Sequence, residues 1–412
     1  MRLARRTFLA SMLASAASPA IVRRARAEAR PVTLKLHHFF SAVSSAHQKF
    51  LAPWARKVEA DSGGRIRIDI FPSMQLGGAP AQLFDQARDG LADIVWAMPG
   101  ATPGRFAKVE TFELPFVASH RALVNSKALA DFAAANLQDE FREVWPIGFS
   151  CRDHGVLHAN LVVRSIANLR GLRLHVPNRL AEGAVNALGG VGVIVPVPQL
   201  PMAISGHAID GCFAPWDTVP TLRLDDLLKD HTDFAASPLC TSTFVLAMNL
   251  AAYDRLPQEL KTVIDDNSGQ APAAAAGAMW DLEARAVANM VRERGHPIIE
   301  LTADEIAHWR KASEPVIAEW VKQMKDRRLN GGKLIANART LIARFASEPE
   351  PQPPQPPADR QPIGQNVMGE PMRPAPPQSS PASAASTLPK ANAPAAAAPA
   401  LKPPLKKLDI PL

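Results

Sequence analysis

Residues 32–36 alternate, with Val32, Leu34 and Leu36 on one side and Thr33 and Lys35 on the other. That is the two-residue period of a strand with one buried face. Over residues 45–61 the period changes: Phe50, Trp54 and Val58 recur every four positions, the apolar stripe of a helix. Ser62, Gly63 and Gly64 supply its C-terminal stop. Alternation resumes over 65–71, followed by a loop at 72–78. A second helix is expected at 81–89, stopped by Gly90, and then a buried strand at 92–96. Strands joined by helical crossovers in this order predict an open α/β sheet.

The order recurs further along, with a strand at 171–176, a helix at 180–188, a strand at 191–195 and a helix at 200–206. A strand begins at 208 and runs into Cys212 and Trp216. Residues 243–249 form a strand that returns to the first lobe. Long helical stretches follow at 257–268, 271–294, 302–324 and 331–345. The fold class is therefore α/β: two similar lobes, crossed by the chain more than once, with a hinged cleft and long helices. Lobe I takes residues 28–153 and 240–270. Lobe II and the connecting helices take 154–239 and 271–348. In open α/β sheets ligands lie outside the carboxyl ends of the strands. That places a site in the loops 37–44, 96–105, 175–179 and 213–218.

Composition alters this picture only at the ends of the chain. Of the 38 prolines, 18 fall in residues 349–412, a stretch without one aromatic residue. A Pro/Ala-rich segment of this kind lacks the apolar bulk to offset ordering entropy and is expected to be disordered. At the other end, Arg5 and Arg6 precede Thr7, Phe8 and Leu9, a mildly apolar run follows, and Ala25, Arg26 and Ala27 form a cleavage pattern. Residues 1–27 thus read as a twin-arginine-type signal peptide, and the protein as periplasmic. The whole chain carries a net charge of +7. Six leader arginines give +6 of this and the tail +2, so residues 28–348 carry −1. A nearly neutral folded part removes the argument for a nucleic-acid partner. No run of 18 apolar residues exists to span a membrane. Three cysteines (Cys151, Cys212 and Cys240) are too few for a disulfide framework and are expected as buried thiols.

Direct chemistry is sparse. Cys151, His154 and His158 have a spacing that resembles metal ligation, but the segment reads as irregular and no second Cys/His pair matches it. No phosphate loop, nucleophile elbow or dinucleotide fingerprint is present. Nothing supports catalysis, and no metal or cofactor is expected.

Several stretches together resemble the solute-binding proteins of TRAP (tripartite ATP-independent periplasmic) transporters, the DctP-type family. They are residues 54–78, from Trp54 to Gly78; Arg88 to Asp93; Gly104, Arg105 and Phe106 leading to Glu113, Leu114, Pro115 and Phe116; Ala167 to Asn178; and Ala208 to Gly211. The likeness covers roughly residues 32–345 in the family's order. It implies a two-lobed, type II-like periplasmic-binding-protein fold, and a receptor that closes on a small organic acid, a carboxylate above all, and delivers it to the TRAP permease membrane subunits.

Two departures touch the site. The family's carboxylate-clamping arginine is His175 here, and an Asn common before the Pro of the later loop is Ala214. A guanidinium fork gives a carboxylate two parallel charged bonds, which an imidazole cannot. Either another arginine (Arg152, Arg173, Arg179 or Arg105) takes that role, or the ligand is less acidic. Trp96 and Trp216 would stack on a ring-bearing ligand or fill the core. His38, Phe39 and Phe40 lie in a loop expected to face the cleft. Two other functions are consistent with the sequence: an exported metal- or cofactor-dependent enzyme, and a ligand-binding partner of a membrane sensor.

Overall fold

The computed structural model describes residues 30–234 and 238–349. The expected leader and all but the first residue of the Pro/Ala-rich tail lie outside the described residues. Eleven strands occur among those described. In chain order they are β1 (Val32–His38), β2 (Ile66–Phe71), β3 (Ile94–Ala97), β4 (Val144–Cys151), β5 (Val156–Ala159) and β6 (Arg173–His175). The remainder are β7 (Val191–Val193), β8 (Gly211–Ala214), β9 (Asp230–Asp233), β10 (Thr243–Asn249) and β11 (Ile298–Glu300).

The first sheet has the order β2-β1-β3-β10-β4. β1 pairs in parallel with β2 and β3, while β10 is antiparallel to both β3 and β4. Residues 243–249 thus return to the first sheet. Every residue of β10 and of β3 is buried. Helices cover both faces, which is why these strands are continuous apolar runs where β1 and β2 alternate. The second sheet has the order β11-β9-β5-β8-β6-β7. Its alternation separates two cores. Val156, Cys212 and Ala214 face one cluster, with Val287 and Val291, while Leu157 and Phe213 face the other, with Trp309.

Two 24-residue helices, Gln270–Glu293 and Ala303–Asp326, each reach about 36 Å and serve both cores. Ala276, Met279 and Trp280 of the first helix join the first-sheet core, and Val287, Ala288 and Val291 join the second. The second helix runs the other way, with Ile306 and Trp309 in the second lobe and Trp320 and Met324 in the first. The helix Gly331–Ala346 packs wholly on the first lobe through Leu334, Ala338 and Phe345. The expected boundary therefore needs correction. Residues 271–348 are two bridging helices and one first-lobe helix, and the short β11 lies between the bridges.

The helix Ala122–Asn136, absent from the sequence reading, lies between Gln270–Glu293 and Gly331–Ala346. Neighbours surround it, and its buried positions include Val124, Asn125, Ser126, Ala128, Leu129 and Phe132. A helix covered on most sides has no apolar stripe to detect. Of residues 151–158, expected as irregular, 152–155 are so, while Cys151 ends β4 and 156–158 belong to β5. Polar residues satisfied by burial partners masked the strand period there.

Gly277 lets the two helices approach closely. A Cβ at this position would lie 2.6 Å from Leu123 Cα and 2.7 Å from the Ala122 carbonyl oxygen. Backbone cannot yield as a side chain can, so Gly277→Ala is expected to destabilise the protein by about 1–3 kcal/mol. Urea unfolding should show a lowered midpoint with an unchanged slope.

Candidate functional site

The chain crosses between the sheets twice before the long helices, at 152–155 and 239–242, and the two crossings lie side by side. Arg152 N–H donates to the Ser242 carbonyl at 3.0 Å, and Gly155 N–H to that of Cys240 at 2.9 Å. A Cβ on Gly155 would sit 2.6 Å from Cys240 Sγ, so only glycine permits this spacing. The other polar groups here are buried and paired. The Arg152 carbonyl accepts from Asn125 Nδ2 at 2.9 Å and Thr241 Oγ1 at 3.0 Å. Ser126 Oγ accepts from the Cys151 N–H and donates to the Cys151 carbonyl, each at 3.0 Å. Asn178 caps the helix Arg179–Ala187 with its side-chain oxygen and donates through Nδ2 to the Thr241 carbonyl at 3.0 Å.

Beside these crossings lies a cavity with about 550 Å³ of empty space. Phe39, Phe40, Met98 and Phe244 wall it from the first lobe, and His175, Pro177, Leu200 and Phe213 from the second. Phe39 and Phe40 stack at 4.2 Å between centroids, and Phe40 lies 5.9 Å from Phe244. All four loops at the strand ends supply wall residues. The crossings add Arg152, His154, Cys240, Thr241 and Ser242.

Two cationic side chains reach this apolar space. Arg152 is 5% exposed and pairs through Nη2 with Asp217, while its Nε has no hydrogen-bond partner among the described residues. Burial lowers its pKa to about 10, so it keeps its charge at neutral pH. His154 hydrogen-bonds through Nε2 to Asp233 Oδ1 at 2.7 Å. Burial opposes its charge, but the bond to Asp233 and the fields of Asp233 and Asp153 outweigh it and lift the pKa to about 9. His175 behaves oppositely. Burial brings it down to about 4, leaving a neutral ring whose Nδ1 is unpaired among the described residues.

Of the sequence candidates, the structure brings Phe39, Arg152 and His175 into the wall and leaves six outside it. Trp96 is fully buried in the first-lobe core, 5.6 Å from Trp280. His38 is buried next to it and bonds His47 at 3.0 Å. Trp216 packs in the second lobe against His158 at 5.3 Å. Arg173 points from an exposed strand end to Asp210 at 2.7 Å. Arg179 pairs with Glu110 and bonds Gln323. Arg105 pairs with Asp85 and lies over Phe84 at 4.5 Å. Each of these three arginines has a local carboxylate and none lines the cavity; Arg152, itself paired with Asp217, is the one of the four that does. Phe244 and Thr241 come to the wall without any sequence signal, whereas Phe40 and Phe213 lie in the strand-end loops 37–44 and 213–218 and His154 belongs to the Cys/His run with metal-like spacing.

The metal-like spacing dissolves in the fold. Cys151 Sγ lies 3.8 Å from Thr241 Oγ1, His154 serves Asp233, and His158 Nε2 donates to the Ala214 carbonyl at 3.0 Å. Among the described residues no three His, Cys, Asp or Glu side chains converge for a metal.

Residues 36–323 match the family model of the bacterial extracellular solute-binding proteins, family 7, and the chain belongs to that family. It is a solute-binding protein of the TRAP transporter type, a receptor that takes up a small organic acid between its lobes for a membrane permease. A TRAP solute-binding protein from Rhodoferax ferrireducens, solved with copurified benzoate, is 36% identical over 76% of this chain and 98% of its own, with a TM-score of 0.74. A marine metagenome TRAP protein specific for aromatic acid ligands, solved with 3-hydroxybenzoate, has the same identity and TM-score over 77% of this chain and 99% of its own. The C4-dicarboxylate-binding periplasmic protein DctP of Rhodobacter capsulatus is 22% identical over 78% of this chain and 96% of its own length. No described helix is long and apolar enough to cross a membrane.

The His154–Asp233 pair has a pH signature. Unfolded His154 titrates near 6.5 and folded His154 near 9, so its contribution is complete below 6.5 and vanishes as pH rises through 9. Of the carboxyls that burial pushes up, Asp281 reaches about 6 and Glu113 and Glu140 about 7, below most of that window; Asp153, against His154, is also pushed up. Tm should fall across that window, by the equivalent of at most about 3 kcal/mol. In His154→Gln the slope should flatten; an unchanged slope would mean that the pair is not charged.

Proposed function

We propose that the ligand is a small aromatic monocarboxylate, captured in the periplasm after twin-arginine export of the folded receptor and released to the TRAP permease. The reading rests on one observation. A buried guanidinium with an unpaired Nε stands in a largely apolar cavity to which four phenylalanines contribute. Asp217 takes Nη2 of the Arg152 guanidinium, and Nε is left to donate to an incoming carboxylate. The rings of Phe39, Phe40, Phe213 and Phe244 suit a flat apolar body. His175, neutral and holding an unused ring nitrogen, suits an uncharged polar group such as a phenol and not a second carboxylate. The benzoate and 3-hydroxybenzoate held by the two 36%-identical relatives support the same chemistry.

Function on this reading is binding and lobe closure, with no bond made or broken. Burying one ring contributes about 2–3 kcal/mol, and each charge-assisted hydrogen bond about 1.5–3 kcal/mol. For one ring and two such bonds this comes to about 5–9 kcal/mol before ordering costs, so a micromolar receptor needs the further contacts that lobe closure adds.

Calorimetric titration should show benzoate or 3-hydroxybenzoate binding, with benzyl alcohol and succinate not binding. Arg152→Lys keeps the charge beside Asp217 but loses the fork, and should weaken the acid by about 10- to 100-fold. Succinate binding in preference to benzoate would overturn the aromatic reading.

A further inference from the structure

Arg179 stays outside the cavity, yet it is bonded across the joint between the lobes. Its partner Glu110 belongs to the first-lobe segment Val109–Glu113. Glu140 fixes the start of that segment, accepting the Lys108 N–H at 2.7 Å and the Val109 N–H at 3.3 Å, and Phe112 anchors it in the first-lobe core. Two buried carboxylates extend from it. Glu113 accepts the N–H and the hydroxyl of Thr243 at 3.0 and 2.7 Å, directly after the second crossing. Glu110 accepts from the other lobe. Arg179 opens the helix Arg179–Ala187, whose Ala181, Ala184 and Val185 lie in a second-lobe core. It meets Glu110 with two parallel bonds, Nε to Oε1 at 2.7 Å and Nη2 to Oε2.

The bridging helix Ala303–Asp326 closes the set. Arg179 Nη1 donates to its Gln323 at 3.1 Å, and its Trp320 Nε1 donates to Glu110 Oε2 at 3.1 Å. First lobe, second lobe and bridge therefore meet at one carboxylate. A two-pronged charged pair is directional, so it fixes the angle as well as the distance between the parts it joins. The pair also stands close along the chain to the ligand wall. His175 and Pro177 line the cavity, Asn178 bonds the Thr241 carbonyl of the second crossing, and Arg179 follows. A cavity walled from both lobes is complete only when that stretch stands in place against the first lobe.

We propose that Glu110 and Arg179 are positioning residues for the ligand. Their fork holds the lobes in the arrangement that completes the cavity, and so sets the fraction of ligand-free receptor that is ready to bind. Apparent affinity falls in proportion to that fraction. Neither side chain lines the cavity, so loosening the pair weakens every ligand by one common factor. A change in a wall residue would instead alter the ratio between ligands. Only the choice of probe acids rests on the aromatic-acid reading.

The test compares the purified receptor with Glu110→Gln, Arg179→Gln, the double variant and Arg179→Lys. Lobe separation is read by pulsed electron paramagnetic resonance between spin labels at Lys57→Cys and Met202→Cys, exposed positions on the first and second lobes; the three native cysteines are buried. Without ligand, the glutamine variants should show a wider spacing than the parent, and saturating 3-hydroxybenzoate should restore the parent spacing. Calorimetry should show benzoate and 3-hydroxybenzoate weakened by the same factor, about tenfold. Arg179→Lys, with the charge but not the fork, should fall between. The double variant leaves no buried charge unpaired, so it carries the test if a single variant fails to fold. A lowered Tm with parent spacing and parent affinities would reduce the pair to a structural bond and overturn the proposal. So would a wider spacing with unchanged affinities. If the parent binds neither acid, the aromatic reading fails, and the spacing still decides whether the fork sets the lobes.

Discussion

Backbone carried through the middle of a folded protein must have its N–H and C=O groups paired, and the two crossings at 152–155 and 239–242 are where that demand is most severe. Neither belongs fully to a sheet. Their partners are therefore one another and a small set of buried side chains: Asn125, Ser126, Asn178 and Thr241. Meeting this demand places Arg152, His154, Thr241 and Ser242 between the lobes, and the ligand cavity forms around them. Asn178 also caps a second-lobe helix, so the pairing that closes the crossing aligns that lobe's strand ends with it.

The two bridging helices complete the joint in a different way. Each buries apolar residues in a first-lobe core at one end and a second-lobe core at the other. A 24-residue helix is stiff along its axis, so movement of one lobe against the other must be absorbed at the crossings or by bending within the bridges. One bridge lies against a charged group of the cavity: its Trp280 sits 5.1 Å from the Arg152 guanidinium, which the first crossing carries. Ligand electrostatics and lobe geometry are thus linked through one element.

The site also shows how a substituted clamp is accommodated. With a neutral imidazole at His175, the strand end that carries it has no charge to offer, and Arg152 alone provides a buried guanidinium in the wall. On the proposed reading Arg152 holds the acid group and the phenylalanines discriminate by shape and desolvation, which distinguishes a ring from an open-chain acid better than it distinguishes two rings.

Periodicity was enough to place most of the elements, because residues at strand and helix spacing must segregate to the buried side whatever the fold. The first β-α-β-α-β run, the return strand at 243–249 and the four long C-terminal helices all stand close to where that pattern put them. The ordered motifs carried the family, and the strand-end rule reached the four loops of the cavity wall. What the pattern could not contain was partnership. Arg105, Arg173 and Arg179 look like Arg152 in sequence, and only folding shows that Asp85, Asp210 and Glu110 stand against them on accessible or half-covered faces. Trp96 and Trp216 were equally compatible with core and ligand, and the number of rings around each decided for core. The helix Ala122–Asn136 and the strands at the crossings escaped detection for a related reason: burial on several sides, with polar groups satisfied by distant neighbours, erases the one-faced pattern from which elements are read. Local sequence determined where the chain is helical, extended or turned. Which charges are free to meet a ligand depended on contacts between residues far apart in the chain, and those exist only in the tertiary structure.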